Sequence, residues 1–150
     1  MIVRSTNFCS IPLGWKIGWD RADQLLAQAG FQQTSLNNYN AARQLSGDKM
    51  STPSEEALFL RRLQEGSLLT AGNTNYLLGL MRSQIHRKGI PSGVPGVAVA
   101  DKVGFLEGYT HDVGIVYSED ATYVLAIMSL WGNWGQFADL SERVHEYFNR

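Results

Sequence analysis

Val97-Ala98-Val99-Ala100-Asp101-Lys102-Val103-Gly104, with Asp112-Val113-Gly114-Ile115-Val116-Tyr117 a few residues on, is the stretch whose reading decides the fold. Both runs are short, apolar and rich in valine, the composition of buried strands. A third run, Tyr123-Val124-Leu125-Ala126-Ile127-Met128, follows Ser118-Glu119-Asp120, which reads as a tight hairpin. Strands are therefore expected at about 97–103, 112–118 and 121–129. The third is apolar on both faces, so cover is expected on both sides. A lysine and a glycine at the end of the first strand, facing a hairpin, can bring an ammonium and closely approachable backbone beside a bound anion.

Outward from the strands the pattern is helical. Thr52-Pro53-Ser54-Glu55 reads as a capping box with proline at the first helical position. Ala57, Leu58, Leu60 and Leu63 supply that helix with an apolar face, and Gly66 stops it. A second helix is expected from about Ala71 to Gln84, and residues 86–96 read as a turn-rich connector. After the strands, Trp134, Phe137, Leu140, Val144, Tyr147 and Phe148 recur at three and four, predicting a helix over about 133–149 whose stripe packs on the sheet. Residues 1–19 read as a loop and a short irregular helix. Asp20 is expected to cap a helix running to Ala29, with Gly30 as the stop. Residues 31–50, full of Asn, Gln and Ser, read as a long loop. The fold class is α+β: an antiparallel sheet of about three strands packed with helices.

At 150 residues, with 44% hydrophobic and 18% charged residues, the chain is long and apolar enough to bury a core. A net charge of −1 with mixed signs gives no basic stripe for nucleic acid. No apolar run reaches the roughly 18 to 20 residues of a membrane span. Met1-Ile2-Val3-Arg4-Ser5 has no extended apolar core or cleavage site, so no signal peptide is expected. Cys9, the single cysteine, reads as a small buried hydrophobe. Trp15, Trp19, Trp131 and Trp134 read as core or sheet cover, and Arg61 and Arg62 as a solvated helix face. His86, His111 and His145 have no metal-ligand spacing, so neither metal nor cofactor is expected.

The segment from Val99 to Val116, carrying Lys102-Val103-Gly104, resembles the Lys-Thr-Gly strand and hairpin of the class A β-lactamases and their penicillin-recognising relatives. Upstream, Ser5-Thr6-Asn7 resembles that family's Ser-Asp-Asn motif, and the helices from Thr52-Pro53 to Gln84 resemble its helical region. The resemblance covers nearly all of this chain but only the back part of a family domain. It implies one partial domain over residues 1–150, without the family's first strands and its Ser-x-x-Lys helix. It further implies a serine hydrolase in which a lysine helps deprotonate the attacking serine. Carried over, Ser5 is the proton relay and Asn7 orients the substrate amide. Lys102 is the electrostatic lysine, Val103 and Gly104 belong to the substrate-facing strand, and Phe105 supplies an oxyanion-hole N–H. His111 lies near a position where the family places a further cation.

Three departures temper the activity. No Ser-x-x-Lys precedes Ser5; the string occurs at Ser46-Gly47-Asp48-Lys49, where it reads as a turn. Val103 stands where the family has a hydroxyl that donates to the substrate carboxylate. No glutamate occurs in residues 31–50 to activate a deacylating water, a pattern closer to a penicillin-binding protein than to a resistance enzyme. The expectation is part of a hydrolase for β-lactams or D-Ala-D-Ala-type amides, inactive as this chain alone. The alternative is a remnant that binds peptidoglycan peptides or serves as scaffold. An open sheet edge predicts self-association or a second polypeptide that completes the fold. The family's usual place of work lies outside the cytoplasm.

Overall fold

The computed structural model describes residues 1–37 and 49–150. Three antiparallel strands, β1 (Ala98–Leu106), β2 (Tyr109–Tyr117) and β3 (Thr122–Leu130), lie in the order β1-β2-β3. The register sets Lys102 opposite Val113, Val103 opposite Asp112 and Asp112 opposite Ile127. Both strands of the first hairpin are longer than the apolar runs suggested, because the chain turns only at Glu107-Gly108. Gly108 takes φ +78°, a left-handed conformation that glycine accepts without strain. Lys102 consequently sits in mid-strand, not at a strand end.

Ahead of the sheet come a 3₁₀ turn (Asn7–Cys9), α1 (Ser10–Ile17), α2 (Trp19–Gln28), α3 (Pro53–Gln64), α4 (Ala71–Arg82) and the single turn α5 (Ile90–Gly93); α6 (Trp134–Phe148) closes the chain. Alternation along the strands divides the core in two. On one face Ala100, Val113 and Ile115 meet Leu60 and Leu63 of α3 and Leu78 and Met81 of α4. On the other, Val99, Val116, Tyr123 and Ile127 meet Ile90 of α5, Val94 just after it and Phe137 of α6. The α+β class and the antiparallel sheet of three strands stand as the sequence implied.

Local expectations needed correction. Helix α2 begins at Trp19 with Gly18 as its N-cap, and Asp20 lies inside the first turn. The Thr52 side chain caps Glu55 N–H, but the Glu55 carboxylate closes no box: it accepts from Gln33 N–H at 2.9 Å and Thr34 Oγ1 at 2.5 Å. That hydroxyl and the neighbouring amides hold it below the usual carboxylate range. Asp23 does similar service for Ser35, Leu36 and Asn37, so two carboxylates fasten the segment after α2.

The stripe of α6 packs chiefly on α5 and only partly on the sheet. Gly93 lies so close to the Ala138 carbonyl that an added Cβ would overlap it. Ser141 is buried there and donates to Ile90 O at 3.1 Å, while Leu140 and Tyr147 face solvent. Strand β3 is covered less than expected: Tyr123 and Ile127 are buried, Val124, Leu125, Ala126 and Met128 half-buried. A groove of about 610 Å³ runs between α3 and β3, bordered by Ala57, Leu58, Arg61, Ile115 and Val124. Trp15 and Trp131, read as cover, are 65% and 76% exposed. Cys9 is exposed in the 3₁₀ turn. Arg62 is tied down, donating to Ala29 O at 2.5 Å and lying over the Phe31 ring.

Candidate active site

Odd-numbered residues of β1 turn their backbone groups away from β2. Val99 O accepts from Arg87 Nη1 at 3.2 Å, and Val103 O accepts from Ser5 Oγ at 3.3 Å. In an antiparallel ladder, outward-facing residues direct both N–H and C=O outward. The Phe105 N–H therefore points to the same open edge, one step beyond the Val103 carbonyl.

The segment holding Ser5 is laid along this edge by the end of α4. Gln84, buried, donates to Ile2 O at 3.0 Å, and Ile85 N–H bonds Val3 O at 3.1 Å. The His86 ring nitrogen lies 3.4 Å from Arg4 O. Ser5 itself takes φ +52°, a left-handed conformation uncommon for a residue with a side chain. Such strain persists only where surrounding contacts fix it, and at Ser5 the fixed atom is its hydroxyl.

Lys102 completes the arrangement. Its ammonium donates to Ser5 Oγ at 2.6 Å and also to the Val103 carbonyl. Burial lowers its pKa, and the negative charges of Asp112 and Asp101 behind it act the other way. A hydroxyl that accepts from an ammonium can take that proton as it gives its own to a basic group placed beside it. An ammonium partly withdrawn from water attracts an anion more strongly than an exposed one.

The remaining expected residues are placed as follows. Val103 is only 2% exposed, with its side chain on the α5 face, so only its backbone reaches the edge. Gly104 lies opposite His111 on the Lys102 face. His111 Nδ1 accepts from Ser129 N–H at 3.2 Å, which leaves the ring N–H on Nε2. Asn7 is exposed two residues past Ser5 and opens the 3₁₀ turn, its carbonyl accepting from Ser10 Oγ at 2.6 Å. Phe105 is half exposed, edge-on to the His86 and Trp134 rings at 5.4 and 6.1 Å between centroids. Within Ser46-Gly47-Asp48-Lys49 the first three residues lie outside the described ones. Among the described residues no group of three or more His, Cys, Asp or Glu is gathered as a metal site.

Sequence reading passed over Arg87, Asp101 and Asp112. Asp101 and Asp112 have no exposed surface. Both lie on the α5 face of the sheet, the reverse of the Lys102 side. Arg87 Nη1 donates to Asp101 Oδ1 at 2.5 Å, and Ile90 N–H donates to Asp112 Oδ2 at 2.8 Å. The signal was present: a carboxylate inside an otherwise apolar strand needs a buried partner.

Comparison with known proteins follows the same lines. The model of the family described as "Beta-lactamase enzyme family" matches residues 1–148. No curated protein matches the chain. A beta-lactamase from Sphaerobacter thermophilus superposes with a TM-score of 0.85 at 21% identity, over 97% of this chain and 59% of that one. An ancestral (GNCA) class A beta-lactamase superposes at 0.86 with 21% identity, over 96% and 61%. PBP-A superposes at 0.77 with 21% identity, over 88% and 52%. Identity this low shows likeness of fold, and the chain spans 52–61% of the length of these three structures.

Proposed function

The chain belongs to the beta-lactamase enzyme family, and from that premise we propose that it supplies the relay-and-anchor side of an acyl-transfer site for β-lactams or D-Ala-D-Ala-type amides. The observation that carries this is the contact of Lys102 Nζ with Ser5 Oγ at 2.6 Å on an open strand edge. In this role Ser5 hands a proton to the leaving nitrogen. Lys102 keeps the relay polarised and attracts the substrate carboxylate. The outward Phe105 N–H serves the oxyanion, and Asn7 and Gly104 border the amide.

No Ser-x-x-Lys lies wholly among the described residues. The attacking serine is therefore assigned to residues beyond those described, and without it the described part binds substrate but does not turn it over. Titration with benzylpenicillin tests this by NMR. The Ser5, Lys102 and Phe105 signals are expected to shift together, and Lys102→Met to weaken binding about tenfold, the loss of one charge-assisted contact. The intact mass is expected to stay unchanged. Shifts clustered elsewhere, or equal binding by the variant, overturn the assignment. A covalent adduct on a described serine overturns the division of labour.

One observation favours a second reading, a peptide-binding or scaffold relic. The Val103 methyl groups are buried where the family places a hydroxyl, so one carboxylate donor is lost. Under that reading a D-Ala-D-Ala peptide perturbs the same edge and is never cleaved, whatever chain is added.

Strand β3 pairs only with β2 among the described residues, and the α3–β3 groove lies beside its free edge. An unpaired edge next to apolar surface recruits another strand. We assign that place to a second copy or a completing polypeptide. Sedimentation of the chain alone is expected to show species larger than a monomer; a monodisperse monomer at micromolar concentration contradicts this.

A further inference from the structure

The strongest unexplained feature lies behind the sheet, opposite the Lys102 side. Asp101 and Asp112 have no solvent exposure, yet Asp101 Oδ2 and Asp112 Oδ1 have no hydrogen-bond partner. The two residues are diagonal neighbours: Asp101 pairs with Gly114, two places from Asp112 on β2. Diagonal positions on one face come within side-chain reach. The surroundings are cut to hold both. An added Cβ at Gly89 would overlap the Asp112 carboxylate, and one at Gly114 would come 3.1 Å from Asp101 Cβ.

Two ionised carboxylates side by side in a dry site repel, and each bare oxygen carries a desolvation penalty. One proton held on the pair removes the repulsion and the desolvation penalty of one of the two charges. The charged groups that act on the pair are Arg87, from the connector after α4, and Lys102, from β1. His111, next to Asp112 along β2, belongs to the opposite face. Helix α5 contributes only the Ile90 N–H.

We propose that Asp101 and Asp112 share one proton at neutral pH and act as a single negative charge that keeps Lys102 an ammonium against Ser5. They are positioning residues, separated from any substrate by the sheet itself. This deepens the reading of Lys102 above and relies on it for purpose, though not for its test. Burial first, then the Asp112 charge, pushes Asp101 up to about 8, with Arg87 and Lys102 opposing. Burial likewise pushes Asp112 up to about 6. For so close a pair these are two steps of one unit.

The test is a carboxyl ¹³C titration of the intact chain with selectively labelled aspartate. The pair is expected to release one proton near pH 6 and one near pH 8, so a single proton remains at pH 7. Complete ionisation of both by pH 5 overturns the proposal. In Asp112→Asn the repulsion is gone, and the Asp101 step is expected to fall by about one unit. The double variant Asp101→Asn with Asp112→Asn removes the charge and is expected to lower the Lys102 titration, read at its ε-carbon, by about one unit. An unmoved Lys102 signal in a folded double variant also overturns it. If the variants do not fold, the wild-type titration still decides. None of these readouts requires the chain to bind a β-lactam, so failure of that assignment would show separately.

Discussion

Exchange of Arg87 for methionine is expected to cost the folded chain about 1 kcal/mol at pH 5 and about 3 kcal/mol at pH 9.5. The pH dependence follows from the Asp101 proton. Its folded pKa lies near 8, above the ordinary 3.8, so the native state holds a proton that the unfolded chain has released. At pH 5 Asp101 is protonated in the folded wild type, and Arg87 contributes one hydrogen bond, worth about 1 kcal/mol. Above pH 8 the wild-type carboxylate is ionised against the guanidinium. The variant must then keep its proton instead, at about 1.4 kcal/mol for each further pH unit. One and a half units add roughly 2 kcal/mol. Methionine retains most of the stem, which limits the packing loss. Urea unfolding at the two pH values checks this, and an equal loss at both would show that Asp101 does not titrate in this range. The same sign applies to the wild type. The native pair binds more protons than the unfolded chain between about pH 4 and pH 8, so its contribution to stability falls as pH rises through that window.

Gly89→Ala is expected to destabilise by about 3 kcal/mol, although the substitution adds a single methyl group. The obstacle is the Asp112 carboxylate, which occupies the place of the new Cβ. Overpacking of this kind costs about 1–3 kcal/mol, and turning the carboxylate aside breaks the bond from Ile90 N–H, about 1 kcal/mol more. The displaced Asp112 also parts from Asp101, so the carboxyl step near pH 8 is expected to move with the loss of stability. Thermal unfolding and the carboxyl titration read the two effects separately. A loss below about 1 kcal/mol with an unmoved titration would show that the site yields easily.

Sequence and structure diverge most where one segment meets another. The runs around Val99, Ile115 and Val124 marked three strands, and Thr52-Pro53 marked the start of α3, because alternation and capping are local signals. The limits of those elements were less legible. The apolar runs stopped at Val103 and began at Asp112, yet the strands continue to Leu106 and from Tyr109, since backbone pairing runs on through Gly104, Thr110 and His111 to the turn at Glu107-Gly108. The α6 stripe was visible, but not that Gly93 would draw the helix onto α5 and leave Leu140 and Tyr147 outside. Burial of Cys9 and Trp131 was inferred from residue type, which reports an average tendency and not what lies beside a given position.

What the amino-acid order settled alone was the three strands, the longer helices (though not the turn α5 inside the 86–96 connector), the lysine–glycine strand and, through those, the family. The tertiary structure decided that Ser5, 97 residues from Lys102 in sequence, meets its ammonium, that the Val103 side chain turns inward, and that Asp101 and Asp112 share one dry face. The physical reason is range. Dihedral preference and hydrophobic period act over a few residues and leave a record in the sequence. Which hydroxyl faces which ammonium, and which carboxylate loses its water, depends on how distant segments stack, and no local pattern encodes that.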